Sequence, residues 1–286
     1  MHVGFASYFC THLYEDEERA SSVARLLLDS RWPWPPTSTS FGIGKRWGQR
    51  SARRKLTGHK AHASLVAGIL DPGHRDVAME VKPDTEENYA RLLLKTGQVL
   101  PTPEAPFPAT LTGHTKATNL PVGKDLVAWV DLLHELMLTL DIGHGVLPVW
   151  PTEDMVDSDT VLVRIRLSAA KGERDLGVTG EFEIQRARAE YWRHELGDKY
   201  LRHPRWGTYL RRCHLDRVGG LALLRDTVPL AKILELGGPH DLIYLQCTDH
   251  PKGALTPDGE AVRQALQTFL EPILVPPRPQ ELAPQR

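Results

Sequence analysis

Residues 125–150 read DLVAWVDLLHELMLTLDIGHGVLPVW and hold the clearest pattern in the chain. The apolar residues of the first part recur at intervals of three and four, which predicts an amphipathic helix over Asp125–Asp141. These positions are Leu126, Val130, Leu133, Met137 and Leu140. Gly143 and Gly145 end the helix, and the apolar residues of Gly145–Trp150 predict a short strand directly after it.

Outward from this stretch, strands and helices mix without a regular βα repeat. Further strands are predicted at Val3–Phe9, Ser64–Leu70, Asp76–Lys82, Val161–Leu167, Arg205–Arg211 and Leu242–Thr248. Asp71-Pro72-Gly73 would join the second and third of these as a hairpin. Further helices are predicted at Glu15–Asp29, Pro83–Lys95, Glu181–Glu195, Leu215–Asp226 (broken at Gly219-Gly220) and Pro257–Leu270. We therefore expect an α+β fold with one antiparallel or mixed sheet flanked by helices.

The domain organisation follows from length and proline content. We expect residues 1–275 to form a single α+β domain and residues 276–286 to form a flexible, proline-rich tail. Four prolines between positions 101 and 108 leave open a two-lobed arrangement with a hinge near 97–110.

Composition predicts an ordinary globular protein. Lys plus Arg number 35 and Asp plus Glu 36, a balance that argues against a dedicated nucleic-acid binder. Three scattered cysteines do not form a disulfide framework, and the first residues lack a basic signal region, so we expect a cytoplasmic location. The most apolar window, Leu126–Leu140, contains Asp131, His134 and Glu135, so no membrane span is expected.

Charge is nevertheless segregated along the chain. The segment 31–70 holds eight basic residues and no acid: Arg31, Lys45, Arg46, Arg50, Arg53, Arg54, Lys55 and Lys60. The segment 125–159 holds eight acids and no base: Asp125, Asp131, Glu135, Asp141, Glu153, Asp154, Asp157 and Asp159. The two segments could be solvated faces that pair with each other, or one of them could meet a partner of opposite charge.

A partner-binding surface is predicted at two places. Trp32 and Trp34 lie in a proline-stiffened loop, where they would either pack into a satellite core cluster or anchor a partner. The second place is the distal acidic run Glu153, Asp154, Asp157 and Asp159, which would capture a basic protein.

The sequence contains no strong catalytic or metal-binding motif. His134-Glu135 is followed by Leu138 and His194-Glu195 by Asp198, so neither provides the second histidine of a metalloprotease helix. No catalytic residue, metal ligand or cofactor is predicted. Two alternatives stay open: a metal-dependent hydrolase built around His134, Glu135 and His144, and a defence or regulatory module that contacts nucleic acid through Arg46–Lys55.

The C-terminal third has a recognisable order of segments. HPRWGTYL at His203–Leu210 is followed by HLDRVGGLALL at His214–Leu224 and by LIYLQCTD at Leu242–Asp249, with a closing helix at Glu260–Leu270. This order, over residues 203–270, resembles the immunity-protein families of bacterial polymorphic-toxin and type VI secretion systems, common in myxobacteria. In those families a Trp-x-x-Tyr/Phe-Leu strand leads into a helix ending Gly-Gly, then Leu-x-x-Leu-Arg, an apolar strand and a last helix.

The resemblance implies a protein that binds a cognate toxin or effector and neutralises it by occlusion, without catalysis. It implies no catalytic residues and no cofactor, since members of these families work by binding. The expected partner is therefore a protein, with no membrane and no nucleic acid involved, and the oligomeric state is left open.

Overall fold

The computed structural model describes residues 2–9, 13–32, 39–44, 52–54, 60–71, 76–81, 90–95, 109–116, 123–150 and 200–274. The strands are β1 (His2–Phe9), β2 (Thr39–Gly44), β3 (Ala52–Arg54), β4 (Asp76–Val81), β5 (Ala90–Lys95), β6 (Ala109–Lys116), β7 (His144–Leu147), β8 (Val149–Trp150), β9 (Gly207–Arg211), β10 (Lys232–Gly237) and β11 (Leu242–Gln246). The helices are α1 (Glu17–Leu27), α2 (Lys60–Leu70), α3 (Lys124–Thr139), α4 (Arg212–Asp216), α5 (Gly220–Thr227) and α6 (Pro257–Leu270).

The strands form one 11-stranded sheet in the order β10-β11-β9-β7-β1-β6-β5-β4-β2-β3, and β8 also pairs with β1. Every pairing between these strands is antiparallel. Strand β1 lies near the middle, with β6 on one side and β7 on the other. The expected α+β class, with an antiparallel sheet flanked by helices, is therefore confirmed.

Two apolar clusters pack on the sheet because strand side chains alternate between its faces. In β11, Leu242 and Tyr244 belong to the larger cluster, which includes the apolar faces of α1, α2 and α3. Ile243 and Leu245, one position along, belong to a second cluster with residues of α5 and α6. Helices therefore cover both faces at β11, which explains why all five of its residues are buried.

The start of α1 follows from its sequence. Asp16 is the N-cap, and its carboxylate accepts a hydrogen bond of 2.9 Å from the backbone N–H of Arg19. Glu17 and Glu18 then place negative charge at the positive end of the helix dipole. Thr256 caps α6 in the same way, and Pro257 takes its first position.

Two predicted elements are wrong. Ser64–Leu70 is not a strand but the second half of helix α2, whose alanines favour a helix. The predicted helix Pro83–Lys95 is wrong over the residues described, because Ala90–Lys95 is strand β5, paired with β4 and β6 on its two sides. Strands β2, β3, β6 and β10 were not predicted, and the Arg31–Phe41 loop gives way to β2 at Thr39.

Other predictions fall on residues outside the described ranges. These are the strand Val161–Leu167, the helix Glu181–Glu195, the hinge except for positions 109 and 110 in β6, and the tail 276–286. Among the described helices, none combines the length and the apolar character needed to cross a lipid bilayer.

Candidate functional site

Trp32 is a core residue. Its side chain is 4% exposed, its indole Nε1 donates a hydrogen bond of 2.8 Å to the carbonyl of Leu26, and its ring lies 5.8 Å from that of Phe5. It therefore packs in the larger apolar cluster on the sheet and not in a satellite cluster, and it presents almost no surface to a partner. The other predicted partner-binding residues, Trp34, Glu153, Asp154, Asp157 and Asp159, lie outside the described ranges.

Half of the acidic segment can be placed. Asp131 and Glu135 are exposed on the side of α3 away from its buried apolar stripe, Asp125 is exposed in the first turn, and Asp141 is half-buried just after the helix. Val127, four residues before Asp131 on the same side of the helix, is 55% exposed and is one of the few large apolar side chains that the described surface presents to solvent.

Two of these four acids are neutralised by bases of the same chain. Glu135 receives both terminal nitrogens of Arg31, at 2.5 and 2.9 Å, and Arg31 also binds Asp29. The Arg31 hydrogen bonds lower the pKa of Glu135 and of Asp29 from their ordinary values. Since Arg31 begins the basic segment and Glu135 lies in the acidic one, the two segments do pair with each other at this point.

Asp141 is held by a second set of bases. A guanidinium nitrogen of Arg211 lies 3.8 Å from its carboxylate and donates to its carbonyl at 3.2 Å, and the imidazole of His240 lies 3.5 Å away. Asp125 and Asp131 form no ion pair with any described residue. Asp131 and Val127, four residues apart on one side of α3, form an exposed surface that we name the α3 acidic patch.

Beneath this helix, a polar cluster joins α3 to the sheet. His134 is 6% exposed, and its Nδ1 lies 2.8 Å from the hydroxyl of Tyr209. Its ring also stands edge-on to that of Tyr244, with the centroids 4.6 Å apart. Its Nε2 has no hydrogen-bond partner among the described residues. Burial, with a smaller effect from Lys232, lowers the pKa of His134 to about 4, so the ring is neutral at pH 7.

His144 meets the same strand from the other face of the sheet. It is fully buried, and its Nε2 accepts a hydrogen bond of 3.0 Å from the backbone N–H of Arg202. A backbone N–H can only donate, so Nδ1 carries the ring hydrogen and donates it to the carbonyl of Tyr209 at 2.8 Å. Burial lowers the pKa of His144 to about 3.

The group His134, Glu135 and His144 is not assembled as a site. Glu135 is exposed and turned toward Arg31, whereas both nitrogens of His144 are already used in hydrogen bonds within the core. Within the described ranges, no three His, Cys, Asp or Glu side chains come together where they could hold a metal ion. The predicted grouping for a hydrolase is therefore wrong for these three residues.

The remaining segments contribute less. Of the basic stretch Arg46–Lys55, only Ala52–Arg54 is described, as strand β3. Cys213 is exposed, and Cys247 is buried, which raises the pKa of its thiol to about 12. The polar cluster was missed by sequence reasoning because His134, Tyr209 and Tyr244 are far apart in sequence, and only the pairing of β9 with β11 brings the two tyrosines together.

Comparison with known proteins gives a fold relative but no family. No protein-family model matches the chain, and no curated protein matches it. Among solved structures, the Pseudomonas aeruginosa T6SS protein PA0821 is similar, with a TM-score of 0.58 and 13% sequence identity. The alignment covers 96% of this chain and 73% of that chain, so the two share a fold over nearly all of the present sequence.

Proposed function

We propose that this chain is an immunity-type protein of a type VI secretion system that binds a cognate toxin and blocks it by occlusion, without catalysis of its own. The observation that carries the proposal is the fold shared with a T6SS protein across 96% of the chain. The order of segments over residues 203–270 supports it separately, since that order is a property of the amino-acid sequence and does not depend on the shared fold.

The arrangement of the described surface is compatible with a binding role. The α3 acidic patch presents the carboxylate of Asp131, which pairs with no described base, beside the exposed apolar side chain of Val127. An apolar contact bordered by charge is a common composition for a protein interface, and negative charge would speed association with a basic partner.

The test begins with the tagged protein as bait in lysate of its native host, grown under conditions in which the secretion system is expressed. We expect one near-stoichiometric partner that carries a secreted-toxin domain, identified by mass spectrometry. That partner is then expressed in a sensitive bacterial strain with and without this chain. Restored growth on co-expression supports the proposal.

Two results would overturn it. One is a clean bait preparation with no protein partner while the secretion system is demonstrably expressed. The other is a captured toxin whose growth inhibition is unchanged by co-expression of this chain at matched protein level. A control in which the bait is unfolded before use separates specific capture from adhesion to exposed apolar segments.

A further inference from the structure

Strand β10 lies at one end of the sheet, with β11 as its one strand neighbour among the residues that the structure describes. All five residues of β11 are buried, whereas every residue of β10 is exposed or half-buried. A strand enclosed between two others and covered on both faces would be buried as β11 is. The exposure of β10 is therefore that of an edge strand, which presents unpaired backbone groups to solvent.

The hydrogen bonds between β11 and β9 show which way the backbone groups of β11 point. Just before β11, the N–H of Arg212 donates to the carbonyl of Asp241. Just after it, the N–H of Cys247 donates to the carbonyl of Trp206. In an antiparallel sheet, successive residues direct their N–H and C=O alternately to one neighbouring strand and to the other. The odd-numbered residues of β11 therefore bond to β9, and the even-numbered ones bond to β10.

The same alternation identifies the free backbone groups of β10. Tyr244 of β11 is paired with Leu234, so Leu234 directs its N–H and C=O toward β11. Ile233 and Glu235, on either side of Leu234, direct theirs away from β11. Two donors and two acceptors of the main chain thus line the outer edge of β10, spaced as a further strand requires.

We propose that this edge binds an extended segment of the cognate toxin as an additional strand, which places an acidic side chain opposite Lys232 and an apolar one opposite Leu234. The role of this edge rests on the proposed function, because a toxin partner supplies the added strand. In strand addition, main-chain hydrogen bonds give affinity, and contacts of alternate side chains give specificity.

The side of β10 that faces α3 determines the side chains that such a strand needs. Leu234 and Leu236 are half-buried against the larger apolar cluster, as is Leu138 of α3. An apolar side chain opposite Leu234 would extend this cluster. Lys232 lies on the same side of the strand, is exposed, and forms no ion pair with a described acid. An acidic side chain opposite Lys232 would supply that partner.

The other side of β10 adds no further charge requirement. Glu235 is bound by Arg212 and by Arg225, whose guanidinium nitrogen lies 3.1 Å from the carboxylate. A β-bulge between Glu235 and Gly237 then interrupts the regular pairing, so the flat part of the edge is short. A short edge with one unpaired positive charge favours a strand that carries the matching acid over other exposed strands.

A second copy of this chain does not match the edge. Two β10 strands paired antiparallel about a twofold axis place residues of the same face opposite each other, and such residues are an even number of positions apart. Lys232 would therefore face Leu234, Leu236 or another Lys232. It would never face Glu235, the one acid of β10, so its charge would stay unpaired. A strand of different sequence can pair it.

Amide hydrogen exchange tests the edge in the whole chain, with and without the toxin captured as described above. In the free chain, the amides of Ile233 and Glu235 should exchange faster than that of Leu234, which bonds to β11. Bound toxin should slow the exchange of the Ile233 and Glu235 amides about tenfold or more. Fast exchange of both amides in the saturated complex would overturn the proposal.

Paired variants separate the backbone contact from side-chain packing. Ile233→Pro and Ile233→Ala both remove the side chain, but only the proline removes the outward N–H, which the sheet itself does not use. We expect the proline variant to bind toxin about tenfold more weakly than the alanine variant. Equal affinities would count against main-chain pairing. If Ile233→Pro does not fold, amide exchange in the unmodified chain decides the question.

Charge reversal tests the side-chain match. Lys232→Glu should lower the affinity for toxin about tenfold, because the acid opposite it would then be repelled. Lys252→Glu makes the same change in charge at an exposed lysine outside β10 and serves as the control. Equal losses in both variants would assign the effect to net charge and contradict the proposed pairing.

The outcomes separate this role of the edge from the proposed function. A toxin that is neutralised on co-expression, yet leaves amide exchange in β10 unchanged, overturns strand addition and leaves the proposed function intact. Failure to capture any toxin overturns both. A dimer of the chain alone, measured by light scattering and dispersed by Ile233→Pro, overturns the proposal by placing a second copy on the edge.

Discussion

The guanidinium of Arg31 and the carboxylate of Glu135 form a two-pronged ion pair, with N···O distances of 2.5 and 2.9 Å, between the end of the α1 region and the outer face of α3. Both partners are partly exposed, at 30% and 50% of the side chain. The pair holds the end of the α1 region against α3 at the edge of the larger apolar cluster. It also neutralises charge that would otherwise face a partner.

We expect Glu135→Gln to lower the free energy of unfolding by at most about 1 kcal/mol, because exposed pairs are screened by water and salt. Arg31 lowers the pKa of Glu135, so the contribution is present above the carboxyl's unfolded pKa and is lost as the pH falls through its folded pKa. Urea unfolding of Glu135→Gln, of Arg31→Gln and of the double variant, at low and high salt, measures the coupling. A coupling that does not weaken with salt would contradict the expected screening.

Trp32 and Trp34 should behave differently when replaced by alanine. Trp32→Ala removes a core side chain and its hydrogen bond to Leu26, so we expect a loss of about 3–5 kcal/mol in the free energy of unfolding. Trp34→Ala tests the prediction of a partner anchor: it should weaken binding of the captured toxin and leave thermal unfolding unchanged. Equal stability losses in the two variants would place Trp34 in the core as well.

The contact between His134 and Tyr209 can be tested by a compensating pair of substitutions. Tyr209→Phe leaves both ring nitrogens of His134 without a partner among the described residues, which should cost about 1–3 kcal/mol. Adding His134→Phe removes the stranded polar group, so the double variant should recover part of that loss. Tyr244→Phe, which loses only a 3.2 Å bond to Gln246, is the matched control. Denaturant midpoints for the four proteins measure these differences, and a double variant less stable than Tyr209→Phe would refute the prediction.

The distal acidic run is the predicted contact for a basic toxin. Asp154→Lys combined with Asp157→Lys should lower the affinity for such a toxin about tenfold or more, mainly through slower association at low salt. Asp216→Lys with Asp226→Lys, at exposed positions of α4 and α5, makes the same change in net charge elsewhere. Surface plasmon resonance at two salt concentrations compares them. Unchanged affinity in the first variant, or equal losses in both, would count against this docking face.

The periodicity of apolar residues was sufficient to predict helices and strands whose apolar side chains pack in the core. Helices α1, α3 and α6 and strands β1, β9 and β11 were all predicted, because their apolar spacing matches the structure they adopt. It failed for β5, where Ala90–Lys95 is rich in leucine and favours a helix by propensity. Pairing with β4 and β6 on both sides outweighs that preference, and such non-local pairing leaves no trace in a short window.

The site was harder to predict than the fold. Trp32 has the loop context of an exposed anchor, yet its ring packs near that of Phe5 in β1, a contact that only the folded sheet makes possible. His144 resembles a ligand in sequence, but its two nitrogens are taken by backbone groups at positions 202 and 209. Roles of this kind depend on distant residues, and no local pattern contains them.

The central place of β1 in the sheet affects how the chain must be made. Its partners are residues 109–116 and 144–147, so this apolar segment leaves the ribosome long before either neighbour has been synthesised. Contacts so distant in sequence slow folding, because a long loop must close before they form. During that interval HVGFASYF is an unpaired, aggregation-prone strand, and slower translation of the first half would prolong its exposure to chaperones and to other nascent chains.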